Sequence, residues 1–154
     1  MRKTKGFSLI ELLIVVAIIL IIAAIAIPNL VKSKMAANEA AAVGSIRTIV
    51  TSELTYASIN PSTGYLSSLT SLSSAGLIDS VLGGGTKSGF TFTASVSGSA
   101  PASAFDVGAG PSNPGTTGTN YYCSDNSGVI MRNTSAYTIS GGAACGTSGS
   151  PIGQ

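Results

Sequence analysis

From Leu12 to Ile27 the chain runs for sixteen residues without one polar side chain, and no other feature restricts its folding so strongly. Counted from Phe7, the apolar segment is 21 residues long and holds a single charge, Glu11. As a helix it measures about 30 Å, the thickness of a bilayer's hydrocarbon core. Arg2, Lys3 and Lys5 stand just before it and are expected to stay cytoplasmic, which puts the N-terminus inside and the rest of the chain outside. A secretory signal has a shorter apolar core followed by a small-x-small cleavage site. Here the small residues around Ala23 to Ala26 lead straight into more helix, so the segment is expected to be retained.

The remainder is different in kind. A mean hydropathy of +0.44 comes mainly from residues 7 to 31, because the rest is rich in Gly, Ser, Thr and Ala. With 154 residues there is room for one domain plus an appended helix. Only 9% of residues are charged and the formal net charge is +2, too weak a field for nucleic acid, which is not an expected partner. There is no His, and the acids stand singly at Glu11, Glu39, Glu53, Asp79, Asp106 and Asp125. General acid-base chemistry and a His-based metal site lack their usual groups, so neither an enzyme nor a cofactor is expected. Cys123 and Cys145 lie among polar loop residues, and on the exported side of a membrane they should be paired.

After Pro28 good helix formers continue without another Pro until Pro61, which predicts a helix from Phe7 to about Ala57. Pro28 removes a backbone hydrogen bond and should bend or locally melt it, with Gly44 a second weak point. Val43, Ile46, Ile49, Val50, Leu54 and Ala57 form a stripe fit to cover a sheet, with Ser45, Thr48, Thr51 and Ser52 opposite. Glu53 falls within the stripe and Glu39 close to it. Either they reach around to water or they pair with Lys32, Lys34 or Arg47 of neighbouring copies.

Residues 58 to 85 read as a linker with short helical pieces around Leu66, Leu69 and Leu72, while Leu77, Ile78, Val81 and Leu82 are expected to cap the core. Gly83-Gly84-Gly85 lacks the following Gly-Lys-Ser/Thr of a phosphate loop and reads as a turn. Phe90, Phe92, Ala94 and Val96 then alternate with Thr91, Thr93 and Ser95, the pattern of a half-buried strand. A second strand is expected at Phe105 to Val107, and a hairpin from Asn120 to Ser124 through Asp125-Gly128 to Val129-Arg132. The predicted class is α+β: a long N-terminal helix, membrane-spanning in its first half, packed on a small antiparallel sheet.

Glu11 is the anomaly in the apolar block. A carboxylate near the edge of a membrane helix costs about 2 to 3 kcal/mol on insertion scales, which marks it as functional unless a neighbour compensates it. A cut between Gly6 and Phe7 would expose an α-amino group one helical turn away. The basic leader ending in Lys5-Gly6, followed by F-S-L-I-E-L-L-I-V-V-A-I-I and Pro28, resembles type IV prepilins and type II secretion pseudopilins. That resemblance covers residues 1 to about 30 closely and the helix to about residue 58 more loosely. It implies cleavage after Gly6 by a prepilin peptidase, N-methylation of Phe7, and Glu11 as the assembly residue.

The organisation that follows is a cleaved basic leader (1–6), a transmembrane and assembly helix (7–28), its amphipathic continuation (29–58), and a globular head (59–154) with a C-terminal disulfide loop from Cys123 to Cys145. The resemblance also implies the partners: membrane lipid before assembly, an inner-membrane platform with a separate motor ATPase, and identical subunits in a surface filament of the kind used for adhesion and motility. A secretion pseudopilin, building a periplasmic piston, shares this physics, but a C-terminal disulfide loop resembles type IV pilins more. Some related pseudopilins hold Ca2+, for which Asp106 and Asp125 would be a weak ligand set. A membrane-tethered enzyme or binding head, the rival of another class, lacks a nucleophile-base constellation.

Overall fold

The computed structural model describes residues 6–141, 145 and 149–152, so the leader, except Gly6, lies outside the described residues. The chain divides into two compact units, Met1–Lys34 and Met35–Gln154. One helix, α1 (Leu9–Ile59), supplies residues to both.

In the first unit α1 is built almost wholly from Leu, Ile, Val and Ala. The β-branched residues are mediocre helix formers in water. Where no water is available, however, a helix is the way one segment satisfies all its own backbone groups. Every large apolar side chain from Phe7 to Val31 is exposed. Pro28 lies inside α1 with helical residues on both sides.

In the second unit the helix buries one face. Ala42, Ile46, Ile49 and Glu53 recur at steps of four and three and are all fully buried, with Val50 beside them. The observed face is rotated from the predicted stripe, for Leu54 is 42% exposed whereas Ser45 and Ser52 are buried. Size and hydrogen bonding explain the shift: serine lets the chain approach closely, and the Ser52 hydroxyl donates to the Leu77 carbonyl at 3.0 Å. Two short helices follow, α2 (Leu69–Ser74), N-capped by Ser68, and α3 (Ser80–Gly83), N-capped by Asp79. Leu69, Leu72, Ile78 and Leu82 enter the core and Leu77 packs partly against it, but Val81 is exposed, since a single helical turn can direct only one side inward.

Among the described residues the sheet is an antiparallel meander of six strands in sequence order: β1 (Thr86–Lys87), β2 (Phe90–Val96), β3 (Phe105–Pro111), β4 (Tyr121–Asp125), β5 (Met131–Asn133) and β6 (Ser150–Pro151). In β2 the predicted alternation holds at Phe90 and Phe92, which are buried, against exposed Thr91 and Thr93. The second predicted strand extends four residues further, to Pro111, in full register with β2. Its glycines hid it, because Gly108 carries no strand signal of its own. A Cβ there would come within 2.6 Å of Ile139, whose side chain fills the space on the outer face. The predicted hairpin forms with Tyr121 opposite Asn133 and Cys123 opposite Met131, so its second arm begins later than Val129. Asp125 accepts the Ser127 amide at 2.8 Å, and Gly128 takes the positive φ that the turn requires. The fold is thus the expected α+β arrangement, an apolar N-terminal helix with an antiparallel sheet packed on its continuation.

Candidate functional site

At the head of α1, Gly6, Phe7 and Ser8 lie outside the helix and are exposed, Phe7 to 82%. The Leu12 amide donates to the Ser8 carbonyl at 3.3 Å. Glu11, three residues beyond Ser8, accepts the Ser8 N–H at 2.9 Å. This is the back-reaching half of a capping box, and an acid in the first turn also meets the positive end of the helix dipole. In the uncleaved chain the Phe7 nitrogen is an amide, and the carboxylate that the sequence analysis pairs with a free amine is held by its neighbour's N–H instead. The Ser8-x-x-Glu11 spacing signals this cap, which the reading of Glu11 as a membrane anomaly passed over.

Two further acids on α1 behave differently from expectation. Glu39 is part-buried and is taken up by donors of its own chain. Its Oε1 accepts from the Thr119 amide at 2.7 Å, the Asn120 amide at 3.1 Å and the Thr119 hydroxyl at 3.2 Å. Its Oε2 accepts from the Asn120 side-chain amide at 2.9 Å and the Tyr122 hydroxyl at 3.0 Å. Burial opposes ionisation of Glu39, but the donors from Thr119, Asn120 and Tyr122 outweigh it and hold the carboxyl below its ordinary value. The same contact, after burial, raises the Tyr122 hydroxyl. Beside it the Asn38 side chain donates to the Thr117 carbonyl at 3.0 Å. Residues 38 and 39 therefore fasten the long β3–β4 connection to α1.

Glu53, which the sequence analysis places in water or against a neighbour's cation, is wholly buried and takes the Leu66 amide at 2.8 Å. Among the described residues the recorded ion pair is a surface one, Lys87 to Asp79 at 2.7 Å, which also lowers the Asp79 carboxyl.

On the outer face of β3, Asp106 is fully buried and accepts the Ser140 and Gly141 amides at 3.0 and 2.8 Å. Asp125 stands opposite it in the ladder and caps its own turn. No group of three or more potential metal ligands occurs among the described residues. Cys123 and Cys145 are joined in a disulfide with their Cα atoms 5.5 Å apart. Together with Ile139 and Asp106, this bond holds the C-terminal segment on the sheet.

The family model for the prokaryotic N-terminal methylation motif matches residues 1–27. The type IV wide pilus major component PilA4 of Thermus thermophilus is 44% identical over 77 residues, which cover 50% of this chain and 57% of that protein. The type IV major pilin protein PilA of Myxococcus xanthus is 43% identical over 54 residues, covering 35% of this chain and 24% of the relative. No solved structure matches significantly. The chain thus spans little more than half of one of these relatives and about a quarter of the other. The methylation motif lies in the leader and the apolar half of α1, and both relatives are named as type IV pilins.

Proposed function

We propose that this chain is a structural subunit of a type IV pilus-like filament, made as a single-pass membrane precursor with its head outside the cytoplasm. It is cut by a prepilin peptidase between Gly6 and Phe7, methylated on the Phe7 amine, and polymerised through residues 7–28. The observation that carries this reading is the apolar window of α1, with a mean hydropathy of 3.3 and none of it buried. Such a surface must find lipid or other copies of itself. Exposure of Gly6 and Phe7 outside the helix also suits a peptidase, which needs an extended bond.

Assembly on this reading exchanges one apolar environment for another. Leaving the bilayer is offset by burial against neighbouring rods, at about 25 cal/mol per Å2 of apolar surface kept from water. Contacts made head to tail do not close, so the product is an open helical filament. The work of extraction comes from a separate motor on an inner-membrane platform. Glu11, held by the Ser8 amide before cleavage, gains a cationic partner when the Phe7 amine appears, and pairing with the amine of an adjacent copy sets the axial register. Electron microscopy of sheared surface fibres with mass spectrometry of their N-terminus tests the whole. Fibres whose subunits begin at methylated Phe7 are expected, and secreted material beginning downstream of Pro28 would overturn the reading. Glu11→Val is expected to insert normally and to lower filament yield at least tenfold, and an unchanged yield would remove Glu11 from assembly.

A further inference from the structure

Glu53 takes no part in the assembly described above, and its surroundings are unusual for an acid. It lies on the core-facing stripe of α1, fully buried. Its Oε2 accepts the Leu66 N–H at 2.8 Å, while its Oε1 is buried with no hydrogen-bond partner among the described residues. Leu66 belongs to residues 60–68, the segment that leaves α1 and ends at Ser68, the N-cap of α2. Its ends are tied by Asn60, which donates to the Tyr56 carbonyl of α1, and by Ser68, which caps α2. Between them stand the Tyr65 amide on the Ala102 carbonyl at 3.4 Å, the Ala102 amide on the Thr63 carbonyl at 3.0 Å, the Tyr65 ring against Phe105 at 4.7 Å and the partial packing of Leu66 on the core. An open hollow of about 250 Å3 adjoins it, lined in part by Thr63, Tyr65, Leu66 and Val96.

We propose that Glu53 is a proton-operated latch, which when protonated stays in the core and holds residues 60–68 on α1, and when ionised turns toward water and releases them. An ionised carboxylate with one donor in apolar surroundings is far more costly than the neutral acid. Burial pushes its pKa up to about 7, with the Leu66 amide a smaller opposing influence, so both states are accessible near neutrality. The titratable groups around it do not interfere. Tyr56 on α1 and Tyr65 in the segment make no hydrogen bond to it, Glu39 is occupied by residues 119, 120 and 122, Asp106 on β3 by residues 140 and 141, and Asp79 by Lys87. Arg47 is exposed, and α2 and β2 carry no charge.

The test is carbon-detected NMR titration of the Glu53 carboxyl in the full chain in detergent micelles, with amide exchange at pH 5.5 and 8.5 corrected for intrinsic rates. A midpoint near 7 is expected, together with at least a tenfold loss of Leu66 protection at the higher pH relative to the Phe92 amide, which is bonded to Gly85 at 2.7 Å. Glu53→Gln keeps the acceptor and removes the titration, so its Leu66 protection should not change with pH. A midpoint below 5, or the same loss of protection in Glu53→Gln, would overturn the latch. Should the variant fail to fold, the wild-type titration and exchange still decide the matter.

Discussion

The two halves of α1 share one backbone conformation and differ in nearly everything else. Leu9 to Val31 presents exposed apolar side chains all round, whereas Ala42 to Glu53 hides one narrow face in its own domain and shows Arg47, Thr48 and Thr51 to solvent. The second half finds its partner in the same chain; the first must find it elsewhere. The acids follow the same division. Glu11 is held by a local amide in the first turn, Glu39 grips a loop 80 residues away in sequence, and Glu53 sits in the core. One residue type on one helix thus takes three roles, decided by what surrounds each carboxylate rather than by its helical setting.

The contrast can be broken by experiment. The largest effect is expected from Ile49→Ala, which empties a fully buried site and should lower the stability of the head by about 4 kcal/mol in chemical denaturation of the full chain in detergent. Ile19→Ala in the exposed half should change head stability by less than about 0.5 kcal/mol. Equal losses would mean that the two halves are not energetically distinct.

Next comes the pH dependence set by Glu53. Its folded pKa, about 7, lies above the ordinary 4.5, so between those values the folded state keeps a proton that the unfolded state has released. Raising the pH through this window therefore favours unfolding. The contribution is fully present below pH 4.5 and lost above 7, amounting to about 3 kcal/mol. Wild type should lose that much more stability than Glu53→Gln between pH 4.5 and 8, and parallel curves would show that the acid ionises without cost.

A smaller loss, about 2 kcal/mol, is expected from Glu39→Ala, which leaves the Thr119 and Asn120 amides without their acceptor. Amide exchange should show it localised to residues 117–122, and a uniform loss of protection would deny the carboxylate its local grip.

The sequence is a good guide where one residue type settles the matter. Sixteen apolar residues in a row admit little but a helix that meets lipid or its own kind, and the Phe-Thr alternation of β2 needs no distant partner to be read. Legibility fails where the deciding atom lies far along the chain. The second half of β3 is a strand because residues 108–111 pair with β2 and Ile139 occupies the space above Gly108. Glycine announces neither contact. Ser45 and Ser52 look solvent-facing by composition, yet they are buried, and Ser52 finds its acceptor at Leu77. Glu53 misleads for the same reason, since its donor, Leu66, is a backbone group in a segment whose course the helix pattern does not reveal.

The outermost strands of the sheet, Thr86–Lys87 and Ser150–Pro151, are only two residues long, and each carries a residue ill-suited to extended pairing, a lysine and a proline. If the proposed function holds, a subunit crowded along a fibre would run a constant hazard of zipping to its neighbours through free backbone, as amyloid does. Clipped margins of this sort deny that route any template. On the proposed reading, polymer growth would then be left to the greasy rods.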